Sequence, residues 1–588
     1  PLITFTLILS CKLFFLFFSP LLIMNIFKFS IKLILLFLFV TIFFSTLQAK
    51  KLDKYIDGKD ISNYFSGILL LQDNKYEESY NFLKKLDGLE ENHFNYSSRY
   101  LFSLINLGKF NEAFNYSKKL EKKGFSNFES ELIMGVYYLE DQKYDLAQKY
   151  FLKLKERNSK LILNNFISNS LFNWTSFNKL NFTKAQNIIN EIDSNFFDNL
   201  KKIQNAFLHC YYKSEKTDNF FVNLISDQKI DFSRYNYFYA SYLFRLGKIE
   251  ESNKVINKAL KNHPTNLLLN QFKHDLKLQK FKNNFDCQNL SNIIAEILYI
   301  AANALSSQNI QIHSNFYLNL SKYLNKKFYS FDTLLAENYY KAGNSNYAKK
   351  IYKELEKKGD AFFWYSSKQL ANILLENKDN DQAINIVKNA YNKLEHKGIY
   401  EKFDYAEFLK NNDKFNEAII FYTEIIKSIN INHPLYPEVL DGRGVCFERV
   451  GDWDKAEKDL LSSLAASPEQ AYVINYLAYS WIEKGVKISK SLEMLKKAND
   501  LKSNDPFIID SLGWALFKLE KYKESEKYLQ SAVKLMPDDP IVNDHYGDVL
   551  WKIGEKIQAR YYWNYVIKLD STEKDLKEKI KVKLLLGI

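Results

Sequence analysis

The spacing of small residues constrains this chain more than any motif does. Gly513 and Gly547 stand 34 residues apart, as do Ala532 and Val566, and around each pair two apolar helical stretches flank a short polar break. Traced along the chain, the same register gives Gly67, Leu101 and Gly135, then Ala240, and later Ala336, Ala371, Ala406, Gly444 and Ala478. A fixed period of this size is the mark of stacked helical pairs, each unable to bury its apolar face alone. Twelve residues after most of these positions comes a second small residue: Ser79, Ala113, Ala147, Ser252, Ala348, Ala383, Ala418, Ala456, Ser525 and Ala559. Small side chains at both places let the second helix lie close on the first, and a large one would force the two apart. An aromatic three residues earlier, as at Tyr76, Phe110, Tyr144, Phe415, Trp453 and Tyr522, is expected to fill the wedge at the turn. Pro264, Pro468 and Pro537 are placed to stop second helices.

These spacings predict an all-α array rather than one large core, which 588 residues would in any case exceed. Five segments are expected: an apolar extension and signal over 1–49, a first array over 50–266 that degenerates around 161–228, and a degenerate helical joint over 267–328. A second array over 329–573 and a charged helical tail over 574–588 complete the chain.

The net charge of +12, from 81 Lys and Arg against 69 Asp and Glu, is spread out; residues 437–570 hold 19 basic against 22 acidic side chains. No stretch makes a basic footprint for nucleic acid. The excess of Lys over Arg, with abundant Phe, Tyr, Ile and Asn, reads as the codon bias of an AT-rich genome. Cys11, Cys210, Cys287 and Cys446 are far apart with no C-x-x-C spacing, so neither a disulfide framework nor a zinc site is expected.

At the other end, Met24 opens MNIFKFSIKLILLFLFVTIFFSTLQAKK, with Lys28 and Lys32 before an apolar run from Leu33 to Leu47 and a small residue, Ala49, before charge. This is the layout of a cleavable signal peptide, too short to span a bilayer comfortably. Export is therefore expected, with the mature chain beginning at Lys50 and residing in the periplasm. The competing expectation is an uncleaved anchor that keeps the protein on the periplasmic side of a membrane. Residues 1–23 read as an upstream extension before a start at Met24. The LILSC stretch around Cys11 is discounted as a lipid-attachment site, because no basic residue precedes it.

Motifs for chemistry are missing. There is no phosphate-binding glycine loop, no G-x-S-x-G and no H-E-x-x-H, and the eight histidines are scattered, so neither an enzyme nor a cofactor or metal is expected. His209 and Cys210 are neighbours on a helix, pointing about 100° apart, and read as a packed pair. His545 reads as a hydrogen-bonding helix residue. The informative positions are on the first helices. Asp510, Trp514 and Phe517 share one helix face, and Asp544, Asp548 and Trp551 occupy the equivalent places one repeat later. Asn475 and Tyr479 precede them, as do Asp441 and Glu448. Stacking would align these ten residues as columns along a groove, polar at one level and largely aromatic at the next, which suits the capture of a protein or peptide. The carboxylates are expected to keep that face wet, since aspartate is almost never buried without a partner; the alternative expectation is that the aromatics pack between repeats and the carboxylates are solvated or cap neighbouring helices.

The paired small residues, in phase through most of 60–570, resemble the tetratricopeptide repeat. That resemblance implies a right-handed superhelical solenoid of helix–turn–helix units acting as a non-enzymatic scaffold for other proteins. Members that bind a terminal carboxylate do so with a Lys/Asn clamp, where this chain has Asp510 and Trp514. YVINYLAYSWIEKG, FIIDSLGWALFKLEKYKESEKYLQSAV and PIVNDHYGDVLWKIGEKIQARYYW are similar to the C-terminal part of exported proteobacterial tetratricopeptide proteins. Some of these are outer-membrane lipoproteins that present cell-wall hydrolases to a carboxyl-terminal processing protease. The resemblance implies such an envelope scaffold and such partners; the alternative it leaves is a permanent structural subunit of an envelope assembly or export machine.

Overall fold

The computed structural model describes residues 58–588 apart from 92, 158, 193 and 227–230. The signal and its processing site at Ala49 lie outside the described residues. Every regular element described is a helix, and most are consecutive antiparallel pairs. The chain forms two compact units: Pro1–Phe172 with Ala304–Leu320, and Asn173–Asn303 with Ser321–Ile588.

The close approach read from sequence is present in both units. A Cβ added at Gly67 would lie 2.6 Å from Leu83, at Gly135 2.3 Å from Phe151, at Gly444 3.0 Å from Leu460, at Gly513 2.7 Å from Leu529 and at Gly547 2.5 Å from Trp563. In each case the partner is the side chain 16 residues on, from the second helix of the same pair. Where the second small residue is serine, its hydroxyl donates to the carbonyl at the first: Ser79 to Gly67 at 2.7 Å, Ser252 to Ala240 at 2.9 Å and Ser525 to Gly513 at 2.7 Å. Two helices this close exclude water, and the hydroxyl is satisfied inside the contact.

The turn between the two helices has its own constant. Seven residues after the first small position the backbone is left-handed, with φ of 56° at Asn74, 57° at Gln142, 61° at Lys378, 59° at Asp413 and 58° at Glu520, and with glycine at 108, 247, 343, 451, 485 and 554. Glycine takes this conformation freely, whereas other residues crowd their own Cβ. The following pairs open on caps that the sequence supplies: Asp505 and Asp539 accept from the first backbone N–H groups of Pro506–Lys518 and Pro540–Lys552, each with proline at its first position.

In the first unit, Ala304–Leu320 closes the core through Asn315, whose Nδ2 donates to the Tyr76 hydroxyl at 3.1 Å, and through the Phe102–Phe316 ring contact at 4.7 Å. In the second unit the Arg234 guanidinium holds Glu296 through two bonds of 2.7 and 2.8 Å. Glu296 lies on Leu290–Ser307, which is long and apolar enough to cross a membrane. Most of that helix is buried, and a fully buried paired carboxylate marks it as a core helix.

One expectation is corrected here. Cys210, at the end of Ser194–Tyr211, forms a disulfide with Cys287, with Cα atoms 5.8 Å apart. Their separation of 77 positions carries no spacing signature, and only the packing of the second unit brings the two together. Cys446 remains a buried free thiol.

Two substitutions test the repeat geometry by thermal melting. Gly513→Phe is expected to cost about 1–3 kcal/mol by forcing the pair apart. Glu520→Gly, which relieves an exposed left-handed residue, is expected to stabilise by about 0.5–1 kcal/mol. Unchanged midpoints would refute the assignment of both positions.

Candidate functional site

The ten residues of the expected groove all lie in the second unit, and the structure sorts them into two sets. The larger is a continuous network on Pro506–Lys518 and Pro540–Lys552. Trp514 lies face to face with the His545 ring at 3.9 Å and with Phe517 at 4.7 Å, and its indole N–H donates to Glu483 at 2.7 Å. His545 Nδ1 sits 3.0 Å from both carboxylate oxygens of Asp510. One repeat later Lys583 Nζ donates to Asp544 at 2.6 and 2.8 Å and to Asp548 at 2.8 Å. Asp548 also accepts from the Trp563 indole at 3.0 Å. Tyr479 borders the network, its ring 6.4 Å from His545.

The expectation of a wet face does not hold at these positions. Asp510 is 5% exposed, Asp544 7%, Asp548 5% and Trp514 7%. The premise about aspartate was sound, but the partners are internal. His545 comes from the neighbouring repeat, and Lys583 from Lys574–Leu586, which folds back so that Ile580 joins the last apolar cluster. The same tail reaches Trp551, where a Cβ on Gly587 would meet the indole at 2.1 Å. Trp514 is therefore packed between repeats, and Trp551 is half-covered by the chain itself.

The smaller set is Asp441, Glu448 and Asn475, all partly exposed. Glu448 accepts from the Tyr476 hydroxyl at 2.8 Å. Asn475 Oδ1 is buried with no hydrogen-bond partner. Burial raises the Asp441 carboxyl to about 6, offset in part by Lys410.

Electrostatics in the larger set follow from the same packing. Burial works to lower the His545 pKa, but Asp510, Asp544 and Asp548 outweigh it and the net shift is upward. Burial and then Asp544 push Asp548 up to about 6 against the pull of Lys583. This arrangement holds charge in place; it presents no nucleophile beside a base. Reading of the sequence missed Lys583 and Glu483, which lie on other elements and have no periodic signature. Among the described residues one donor group, His274, Asp360 and Glu395, has metal-ligand character.

The family profile described as Tetratricopeptide repeat matches residues 510–539, the pair that carries Asp510 and Trp514. Residues 510–539 are thus similar to a single tetratricopeptide repeat. The TPR repeat-containing protein PA4667 of Pseudomonas aeruginosa is 32% identical over 126 residues, covering 21% of this chain and 20% of that protein. The chain thus matches about a fifth of that relative's length. Similar solved structures include the thermophilic TPR protein TTC0263 of Thermus thermophilus, at 16% identity, covering 32% of this chain and all of that one, with a TM-score of 0.28. MamA from Desulfovibrio magneticus RS-1 is 17% identical and covers 30% of this chain and 97% of that one, with a TM-score of 0.26.

Two outcomes are expected for the network. Trp514→Ala should cost about 3–5 kcal/mol of stability, because it empties a packed site; a melt with an unchanged midpoint would return the ring to a binding role. The raised His545 pKa gives a stability contribution that is complete below the unfolded value of 6.5 and is lost as pH rises through the higher folded value. Asp548 and Asp441, raised to about 6, contribute in the same direction, from the unfolded value of 3.8 upward. Melting midpoints should therefore fall between about pH 4 and 6 as the two carboxyls ionise and again above about 6.5, and His545→Gln should flatten the upper part of the profile.

Proposed function

We propose that this protein is a non-enzymatic scaffold of a bacterial cell envelope, exported through the signal at 24–49 and holding protein partners along the faces of its first helices. The observation that carries the location is the Cys210–Cys287 disulfide. Such bonds persist in oxidising compartments such as the periplasm and are rare where thiols are kept reduced. It supports the export reading of the N-terminal sequence independently of that sequence.

Partner capture is assigned to the part of the expected groove that the chain leaves open. Asp441, Glu448, Asn475 and Tyr479 are half-exposed, and the Asn475 carbonyl oxygen has no partner within the chain. Rotation of this half-exposed side chain would bring the oxygen to the face, where a peptide backbone N–H would satisfy it, which is how a polar ladder on a helical face fixes an extended ligand. Candidate partners, by the resemblance of residues 437–570, are a carboxyl-terminal processing protease and the cell-wall hydrolases it receives.

A photo-crosslinker placed at Tyr479 in living cells tests this. Adducts with exported proteins, from a chain that begins at Lys50 and is oxidised at Cys210 and Cys287, are the expected result. Co-purification in fixed stoichiometry with membrane proteins, and no adduct at Tyr479, would favour a permanent subunit of an envelope assembly instead. A reduced chain beginning before Leu33 would overturn the location.

A further inference from the structure

The helix Leu267–Lys277 packs in the second unit against Asp360–Glu376, far from it in sequence. Gln271 makes the contact: its Oε1 accepts from the Ala361 backbone N–H at 3.0 Å. Gly359 makes room, since a Cβ there would lie 2.1 Å from the Gln271 amide, and its φ of 122° is open to glycine. One turn further along, His274 faces Asp360, with Nε2 3.4 Å from Oδ2. Glu395, just beyond Asn380–Lys393, completes a group whose ligand atoms all lie within 4.8 Å of one another.

His274 Nε2 and Asp360 Oδ2 are both closed off from solvent, and neither has a hydrogen-bond partner. With the imidazole proton on Nδ1, these two atoms face each other as acceptors, and a cation between them would satisfy both. The separation fits one. In a tetrahedral site with metal–donor bonds of about 2.1 Å, neighbouring donors stand about 3.4 Å apart, and His274 and Asp360 already stand at 3.4 Å. Glu395 is exposed, so its side chain is free to turn inward and shorten the longest edge.

The neighbours of the group are arranged as an outer shell. His396 lies with its ring 5.6 Å from that of His274, its Nδ1 2.9 Å from the Glu395 carbonyl oxygen and its Nε2 2.8 Å from Lys277 Nζ. A lysine donating to Nε2 leaves the proton on Nδ1, which then donates to the Glu395 backbone and steadies the segment that carries the third ligand.

We propose that His274, Asp360 and Glu395 bind a divalent transition ion of the zinc class, with water at the fourth position. One imidazole and two carboxylates suit zinc, whereas magnesium prefers an all-oxygen octahedron. The three ligands come from the helix of the degenerate joint, the start of a repeat and the end of that repeat, so the ion acts as a brace between segments that sequence separates widely.

The test is calorimetric titration of the chelator-treated full chain with zinc chloride. One equivalent is expected to bind, and magnesium at about 1 mM should not compete. Binding should weaken about 100-fold or more in His274→Ala and about 10-fold or more in Glu395→Gln and Asp360→Asn, with helix content unchanged by circular dichroism. His396→Ala should weaken it less than any ligand variant. Cobalt substituted for zinc should give the visible absorption of a tetrahedral site that His274→Ala abolishes. No uptake at about 100 µM zinc, or uptake that His274→Ala and Asp360→Asn leave unchanged, would overturn the site.

Discussion

The structure depends on one contact repeated along the chain: a residue with little or no side chain in the middle of a first helix, covered by the side chain 16 residues later. Leu83, Phe151, Leu460, Leu529 and Trp563 each fill the space that a Cβ would occupy at Gly67, Gly135, Gly444, Gly513 and Gly547. Its chemistry is simple, since two helix backbones come close only where no side chain stands between them. The left-handed residue seven places on belongs to the same constraint, because a turn that returns the chain so closely must reverse within about three residues. Five repeats adopt it without glycine, at Asn74, Gln142, Lys378, Asp413 and Glu520. Packing of the pair thus outweighs the local preference of the turn.

This contact was legible in the sequence because both of its partners sit at fixed offsets. Gly513 and Ser525 could be paired from spacing alone, and they meet through the serine hydroxyl. The turn rule reaches even into stretches where the small-residue pattern fades: Lys213 is left-handed seven residues after Ala206, and Asn309 seven after Ala302. What could not be read were contacts between elements without a fixed offset. Cys210 and Cys287, Trp514 and Glu483, and His274 and Asp360 are each joined by packing whose separation in sequence no period specifies.

The groove illustrates the difference between knowing a face and knowing what covers it. Helical spacing placed Asp510, Trp514, Asp544 and Asp548 on one side correctly. It was silent on their partners, and burial turned on those. Removing one partner of a buried charge costs far more than an exposed pair would, so His545 and Lys583 are structural residues in the strict sense.

Asp510 and Asp544 occupy the same position in successive repeats, yet their cations come from different sources. Asp510 takes His545 from the first helix of the following repeat, 35 residues on. Asp544 takes Lys583 from Lys574–Leu586, 39 residues on, a helix with no partner helix of its own among the described residues. The segment thus reproduces the electrostatic role of a further repeat without its sequence pattern: it delivers one positive group to the carboxylate and one apolar residue, Ile580, to the cluster beneath. A lysine reaches from a helix in a way that histidine cannot, so the spacing relaxes by four residues while the ion pair is kept. In these two repeats the buried carboxylate is therefore a consequence of stacking, a negative group that the next element neutralises. Two repeats before Asp510 the equivalent carboxylate, Asp441, is only partly buried and is pushed up to about 6 by that burial, and the intervening repeat carries the neutral Asn475.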